Sequence, residues 1–113
     1  NLEENQKELA NLFDQVLKNN NFDSEIENLI IFKKNLFESN FLNESEILET
    51  TKTLINSKSL WRYHALLLLG DYFVSKKEYI KAIEFYQKIF TIKNLHKDLY
   101  NHARYQLALI SNE

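Results

Sequence analysis

Three features of the sequence predict an all-α fold. Pro 0 and Gly 1 leave almost none of the turn residues that β-hairpins and sandwiches require. Apolar residues recur at spacings of three and four along most of the chain, the period of a helix with one buried face. Hydrophobic residues at 44%, with aromatics at 13%, supply enough apolar material to fold and too much for disorder. At 113 residues the surface-to-volume balance allows one core, so residues 1–113 are read as a single helical domain.

About six helices follow from the periodicity. Leu9, Leu12, Phe13, Val16 and Leu17 line one face of a first helix over 3–18, which stops at the turn-forming run Asn19, Asn20, Asn21. Ser24 and Glu27 stand at capping-box spacing before a second helix over 24–38, whose stripe is Ile26, Leu29, Ile30, Lys33, Leu36 and Phe37. Asn43 with Glu46 caps a third over 44–56, with Ile47, Leu48, Thr51, Leu54 and Ile55 inward. The stretch 60–74 is apolar around most of its circumference, because Leu66 to Leu69 are consecutive; it is expected to be the central, most buried helix. Ser75 and Glu78 again match a capping box, opening a fifth helix with Tyr79, Ala82, Ile83, Tyr86, Ile89 and Phe90 on its inner face. After a linker over 91–97, a sixth carries Leu99, Tyr100, Ala103, Leu107, Ala108 and Ile110 and runs to Glu113 without a cap, as if cut short.

Composition excludes several functions. With 14 Lys plus Arg against 16 Asp plus Glu, there is no cationic surplus to neutralise phosphates, so nucleic acid is not an expected partner. Cys 0 excludes disulfides and thiolate chemistry. Met 0 means that Asn1 does not follow an initiator, and a processed chain or a fragment of a longer one is expected. The longest aliphatic run, Ala65 to Leu69, is far short of the roughly 20 residues that cross a bilayer. His64, His96 and His102 include no i, i+4 pair, and neither a nucleophile motif nor a phosphate loop occurs, so no catalytic residue, metal or cofactor is expected. Glu44, Glu46 and Glu49 are read as acidic residues favouring the start of the third helix.

Residues 66–86 resemble a tetratricopeptide repeat, within a best-matching unit at 60–92. Leu69 and Gly70 supply its L-G pair, Phe73 the following aromatic, Tyr79 the aromatic opening the second helix, and Ala82 with Tyr86 the A-x3-F pair. Gly70 and Ala82 let two helices approach closely, while Phe73, Tyr79 and Tyr86 fill the space around the contact. Leu66 stands where the pattern has Trp, Asn94 where it has Pro, and Trp61 is out of register. Leu48, Thr51 and Ile55 repeat the spacing of Tyr79, Ala82 and Tyr86; Ala103, Arg104, Leu107 and Ala108 form a related terminal helix. The pattern over 60–110 is similar to the tetratricopeptide-like domains of the bacterial ancillary translocon subunit (YfgM) family. That resemblance implies a right-handed superhelical stack of antiparallel hairpins, a membrane anchor preceding Asn1, a place on the periplasmic side of the inner membrane, and protein partners in secretion or envelope assembly.

In such a stack the first helix of each hairpin faces the concave surface. The resemblance therefore puts His64, Leu67, Leu68, Asp71, Val74 and Ser75 in a partner-binding groove, unless the N-terminal helices fold over it. Relatives that clamp a peptide carboxylate use Lys and Asn at such positions; Leu67 and Asp71 argue against that ligand. Tyr63, Tyr72, Tyr100 and Tyr105 are candidate interface anchors. The expected function is a non-enzymatic protein-protein interaction module for a protein or peptide partner. The alternative is an oligomerisation or structural repeat domain without a groove, self-associating through Tyr105, Leu107 and Ile110.

Overall fold

The computed structural model describes residues 1–19 and 23–111, and among these the chain forms six α-helices and no strand. They are α1 (Leu2–Asn19), α2 (Ser24–Glu38), α3 (Glu44–Ile55), α4 (Arg62–Ser75), α5 (Tyr79–Ile89) and α6 (Lys97–Ser111). Asn20, Asn21 and Glu113, to which the sequence assigns a turn and an uncapped end, lie outside the described residues. Backbone contacts group the chain into two compact units, Asn1–Ala65 and Leu66–Glu113.

In the first unit, α1 opens with the Asn1 side chain accepting from the Glu4 amide at 2.8 Å and carries Glu3 and Glu4 at its positive end. It packs antiparallel on α2: the Phe13 and Phe37 rings lie 6.3 Å apart, and Lys34 Nζ donates to Asp14 at 2.6 Å. Two of the five residues of the predicted apolar face turn inward. Phe13 and Leu17 are half-buried, whereas Leu9, Leu12 and Val16 are exposed by 43 to 49%.

The cap and the face of α2 both differ from expectation. Asp23, not Ser24, is the N-cap: its backbone is extended (φ −50°, ψ 143°) and its carboxylate accepts from the Glu25 amide at 3.0 Å, while Ser24 already belongs to the helix. Ile26, Lys33 and Leu36 are exposed, and the buried residues are Asn35 and Glu38. Burying polar side chains in place of apolar ones calls for hydrogen-bond partners, and here Thr50 of α3 reaches both Asn35 Oδ1 and Glu38 Oε1, with Lys34 of α2 beside Glu38. At α3 the expected capping box is present: Asn43 accepts from the Glu46 amide at 2.9 Å, and the Glu46 side chain accepts from the Asn43 amide at 3.0 Å. Ile47, Thr51 and Leu54 are fully buried, and the Thr51 hydroxyl is satisfied by the Ile47 carbonyl at 2.7 Å.

The chain then turns through a polar segment whose backbone groups are taken up locally. Ser59 Oγ accepts from the Trp61 amide, Glu25 accepts from the Leu60 amide at 2.7 Å, and Arg62 Nε donates to the Ile55 carbonyl at 2.8 Å. Trp61 stacks on Phe32 with 5.8 Å between centroids. Among the described residues α4 carries more of the core than any other helix: Ala65, Leu66, Leu69 and Phe73 are wholly buried, and Tyr63, Leu68 and Tyr72 nearly so.

In the second unit, α4 from Leu66 onward packs antiparallel on α5. Phe73 and Phe85 stack nearly parallel at 5.5 Å, and Tyr86 donates its hydroxyl to Asp71 at 2.5 Å. Fully burying each large apolar side chain contributes about 1.5–3 kcal/mol. The turn between these helices is not the predicted cap. Ser75 ends α4, its hydroxyl donating back to the Tyr72 carbonyl at 2.6 Å, and Glu78 at the start of α5 makes no side-chain cap. The Glu78 amide donates to Phe73 O and the Lys77 amide to Val74 O, both at 2.9 Å, with Lys77 left-handed at φ 60°. This is a Schellman closure in which lysine occupies the position that glycine usually takes. Ala82, Tyr86 and Ile89 of α5 are buried. A connection in which Asn94 is left-handed (φ 59°) leads to α6, whose first turn His96 caps by accepting the Asp98 amide on Nδ1 at 3.1 Å. On α6, Ala103 is buried, and Phe90 meets Tyr100 edge-on at 5.1 Å.

Candidate functional site

The close approach of α4 and α5 is set by one glycine. An added Cβ on Gly70 would lie 2.5 Å from Tyr86 Cδ1 and closer still to Cε1, well inside van der Waals contact, so the residue must be small for Tyr86 to sit where it does. Tyr86 is 1% exposed, and burial together with its hydrogen bond to Asp71 raises its phenol well above the ordinary value of 10.0. The Tyr86 phenol is therefore a permanent donor at physiological pH, and Asp71, although exposed, has one oxygen committed to it.

This packing leaves another side of α4 turned away from the Tyr86 contact. Of the predicted groove residues in the second unit, Asp71 and Ser75 are exposed and Leu67 and Val74 are half-buried, on one arc of the helix. Leu68 is only 8% exposed and belongs with the core. The arc presents two aliphatic side chains beside a carboxylate and a hydroxyl, with the Ser75 proton already donated to Tyr72 O. It can bind an apolar side chain or a donor such as an amide or ammonium. Among the described residues no three His, Asp or Glu side chains converge as a metal site would need.

The sixth predicted residue, His64, lies in the first unit. Its ring is 4.8 Å from Trp61, 5.1 Å from Tyr63 and 5.6 Å from Phe32. Its Nδ1 is buried without a hydrogen-bond partner among the described residues, and burial pushes its pKa below 6.5. His64 is thus a neutral aromatic member of a ring cluster. Trp61, out of register in the repeat pattern, is a member of that cluster, against both Phe32 and His64. Of the other expected anchors, Tyr63 and Tyr72 are buried at 3 and 6% exposure, whereas Tyr100 and Tyr105 are exposed.

A concavity that the sequence reading missed lies in the first unit. A cleft of about 410 Å³ is lined by Glu3, Lys7 and Asp14 of α1, by Glu38 and Glu46, and by Phe41. At its side Lys34 Nζ is 2.6 Å from Asp14 and 4.0 Å from Glu38, while Thr50 Oγ1 is 3.2 Å from Asn35 Oδ1 and 3.4 Å from Glu38 Oε1. Burial raises the Glu38 carboxyl pKa, with smaller upward pushes from Asp14 and Glu46, against Lys34 and Thr50, which lower it. The only sequence signal for this cluster was four charged or amide residues, Lys33 to Asn35 and Glu38, set among the apolar residues of α2. Near the opposite end of that helix, hydrogen bonds from Asn28 and from the Leu60 amide hold Glu25 below the ordinary carboxylate value.

No protein-family model, no curated protein and no solved structure matches the chain.

Proposed function

We propose that this chain is a protein-interaction module of tetratricopeptide-like construction, in which antiparallel hairpins stack as a right-handed array and one face of α4 receives the partner. The observation that carries this reading is the α4–α5 contact. A residue without a side chain, Gly70, faces a buried ring, Tyr86, which is the small-against-large packing of a tetratricopeptide hairpin, and Leu67, Asp71, Val74 and Ser75 remain along the free arc. Aliphatic side chains flanking one fixed carboxylate suit a peptide or helix that presents an apolar residue next to a donor. A tether ahead of Asn1 and partners among secreted or envelope proteins belong to the same proposal and rest on the sequence resemblance alone.

Photo-crosslinking tests it. A benzophenone side chain at Leu67 is expected to capture a discrete partner in cells making the full-length product, and one at Glu84, exposed on α5, is not. Capture from both positions alike, or only of other parts of the same chain from Leu67, would overturn the assignment.

A second reading, self-association through α6, is favoured by Tyr105 and Leu109, exposed by 61 and 50% on the same side of that helix. Leu107 and Ile110, expected there with Tyr105, are instead half-buried. A strict monomer by light scattering at about 1 mM would exclude it.

A further inference from the structure

We propose that the cleft between α1 and the facing ends of α2 and α3 is an acid-closed clasp, in which protonation of Glu38 draws α1 onto its neighbours.

The walls of the cleft carry like charge. Glu3 and Asp14 stand on α1, Glu38 and Glu46 on the α2–α3 side, and Lys7 is the cation among the residues that line the space. Beside it Lys34 is shared unequally, 2.6 Å from Asp14 and 4.0 Å from Glu38. Glu38 is therefore a carboxylate about nine-tenths removed from water with the weaker share of Lys34. Its other partner is divided as well. Thr50 has one hydroxyl proton, within reach of both Glu38 Oε1 and Asn35 Oδ1, and Asn35 is a 1% exposed amide whose Nδ2 has no acceptor among the described residues.

Adding one proton to Glu38 relieves the competition for Lys34 and for the Thr50 proton together. The repulsion from Asp14 across the cleft and from Glu46 beside it disappears. Lys34 is left wholly to Asp14, which is the ion pair that ties α1 to α2. The Thr50 proton is released to Asn35. The direction follows from linkage: Glu38 has a raised pKa in the folded chain, so its contribution to stability is present in full below 4.5 and is lost as the pH rises through the folded value. The clasp tightens as the pH falls toward 4.5, the direction in which carboxylate-stabilised folds loosen. His64 works in the opposite sense but lies in the Trp61–Phe32 ring cluster, away from the cleft residues.

The chain has no cysteine, so spin labels at Gln15→Cys on α1 and Lys52→Cys on α3, both exposed, report the spacing of these helices. Pulsed EPR between about pH 7.5 and 4.5 is expected to show a shorter and narrower distance distribution in acid. Glu38→Gln, which carries the protonated shape without the charge, is expected to give the acid distribution at both ends of the range. Glu46→Gln keeps the capping box, since Gln serves there as Glu does, and removes one repelling anion; it is expected to move the midpoint to lower pH. A distribution that ignores pH in the wild-type chain, a full pH response in Glu38→Gln, or an unmoved midpoint in Glu46→Gln would each overturn the proposal.

Discussion

Replacing Gly70 by alanine puts a methyl group where the structure leaves no room for one. The new Cβ falls within 2.5 Å of the edge of the Tyr86 ring, so Tyr86 has to shift from its position between α4 and α5. Overpacking of this kind costs about 1–3 kcal/mol. Displacing Tyr86 also breaks its bond to Asp71, worth roughly 1 kcal/mol after discounting for the exposure of the carboxylate. Against this, alanine is the better helix former by about 1 kcal/mol. The sum is a net loss of about 2 kcal/mol, or a fall of roughly 8 °C in the thermal midpoint. Urea denaturation followed by far-UV circular dichroism measures it, and a double-mutant cycle isolates its cause. In a Tyr86→Leu background, where no ring remains to collide with, Gly70→Ala is expected to be neutral or to stabilise by up to about 1 kcal/mol. If Gly70→Ala is neutral in the wild-type chain, or costs as much in the Tyr86→Leu background as beside the tyrosine, the close-approach argument is wrong.

Three further substitutions test other parts of the account. Lys77→Gly relieves a left-handed lysine in the Schellman turn and is expected to raise stability by about 1 kcal/mol in the same denaturation assay; a loss would show that the turn is held otherwise. Asn43→Ala removes half of the capping box and is expected to cost about 1 kcal/mol, whereas Asn43→Asp is expected to be nearly neutral. His64 is depressed below 6.5 by burial, so the unfolded chain takes up the proton first and stability falls as pH drops below 6.5. A His64→Phe chain is expected to lose that part of the pH dependence, and thermal midpoints of both chains compared from about pH 7.5 to 5.5 would show whether it does.

What could be read from the sequence was what is decided within one or two helical turns. The capping box at Asn43 is complete in four residues, and the buried positions Ile47, Thr51 and Leu54 follow its periodicity. That Gly70 marks a close approach of two helices was legible from its size, but the sequence set it with Ala82, and the structure sets it directly against the Tyr86 ring. The α2 face was misread because its inward residues are polar. Asn35 and Glu38 are buried only because Thr50, Lys34 and, through Lys34, Asp14 meet them, and 20 residues separate Lys34 from Asp14. The Ser75 cap failed for a different reason: the chain closes α4 through a left-handed Lys77, and lysine is not a residue that announces that conformation. Trp61 had no helical period to place it, since its stacking partner Phe32 is on another helix. Of the candidate groove residues, Asp71 and Ser75 are exposed, while His64 is taken up by rings that the repeat pattern does not contain.

The central claim is that the free arc of α4 is the working surface. The most direct measurement is affinity capture of partners by the wild-type chain beside two charge variants that fold equally well by circular dichroism. Leu67→Glu with Val74→Glu alters the arc without touching Asp71 or its bond to Tyr86, and Lys76→Glu alters an exposed position on another side of the same segment. The account predicts that the partner retained by the wild-type chain is lost from the first variant and kept by the second. Retention of the same partner by both would contradict it.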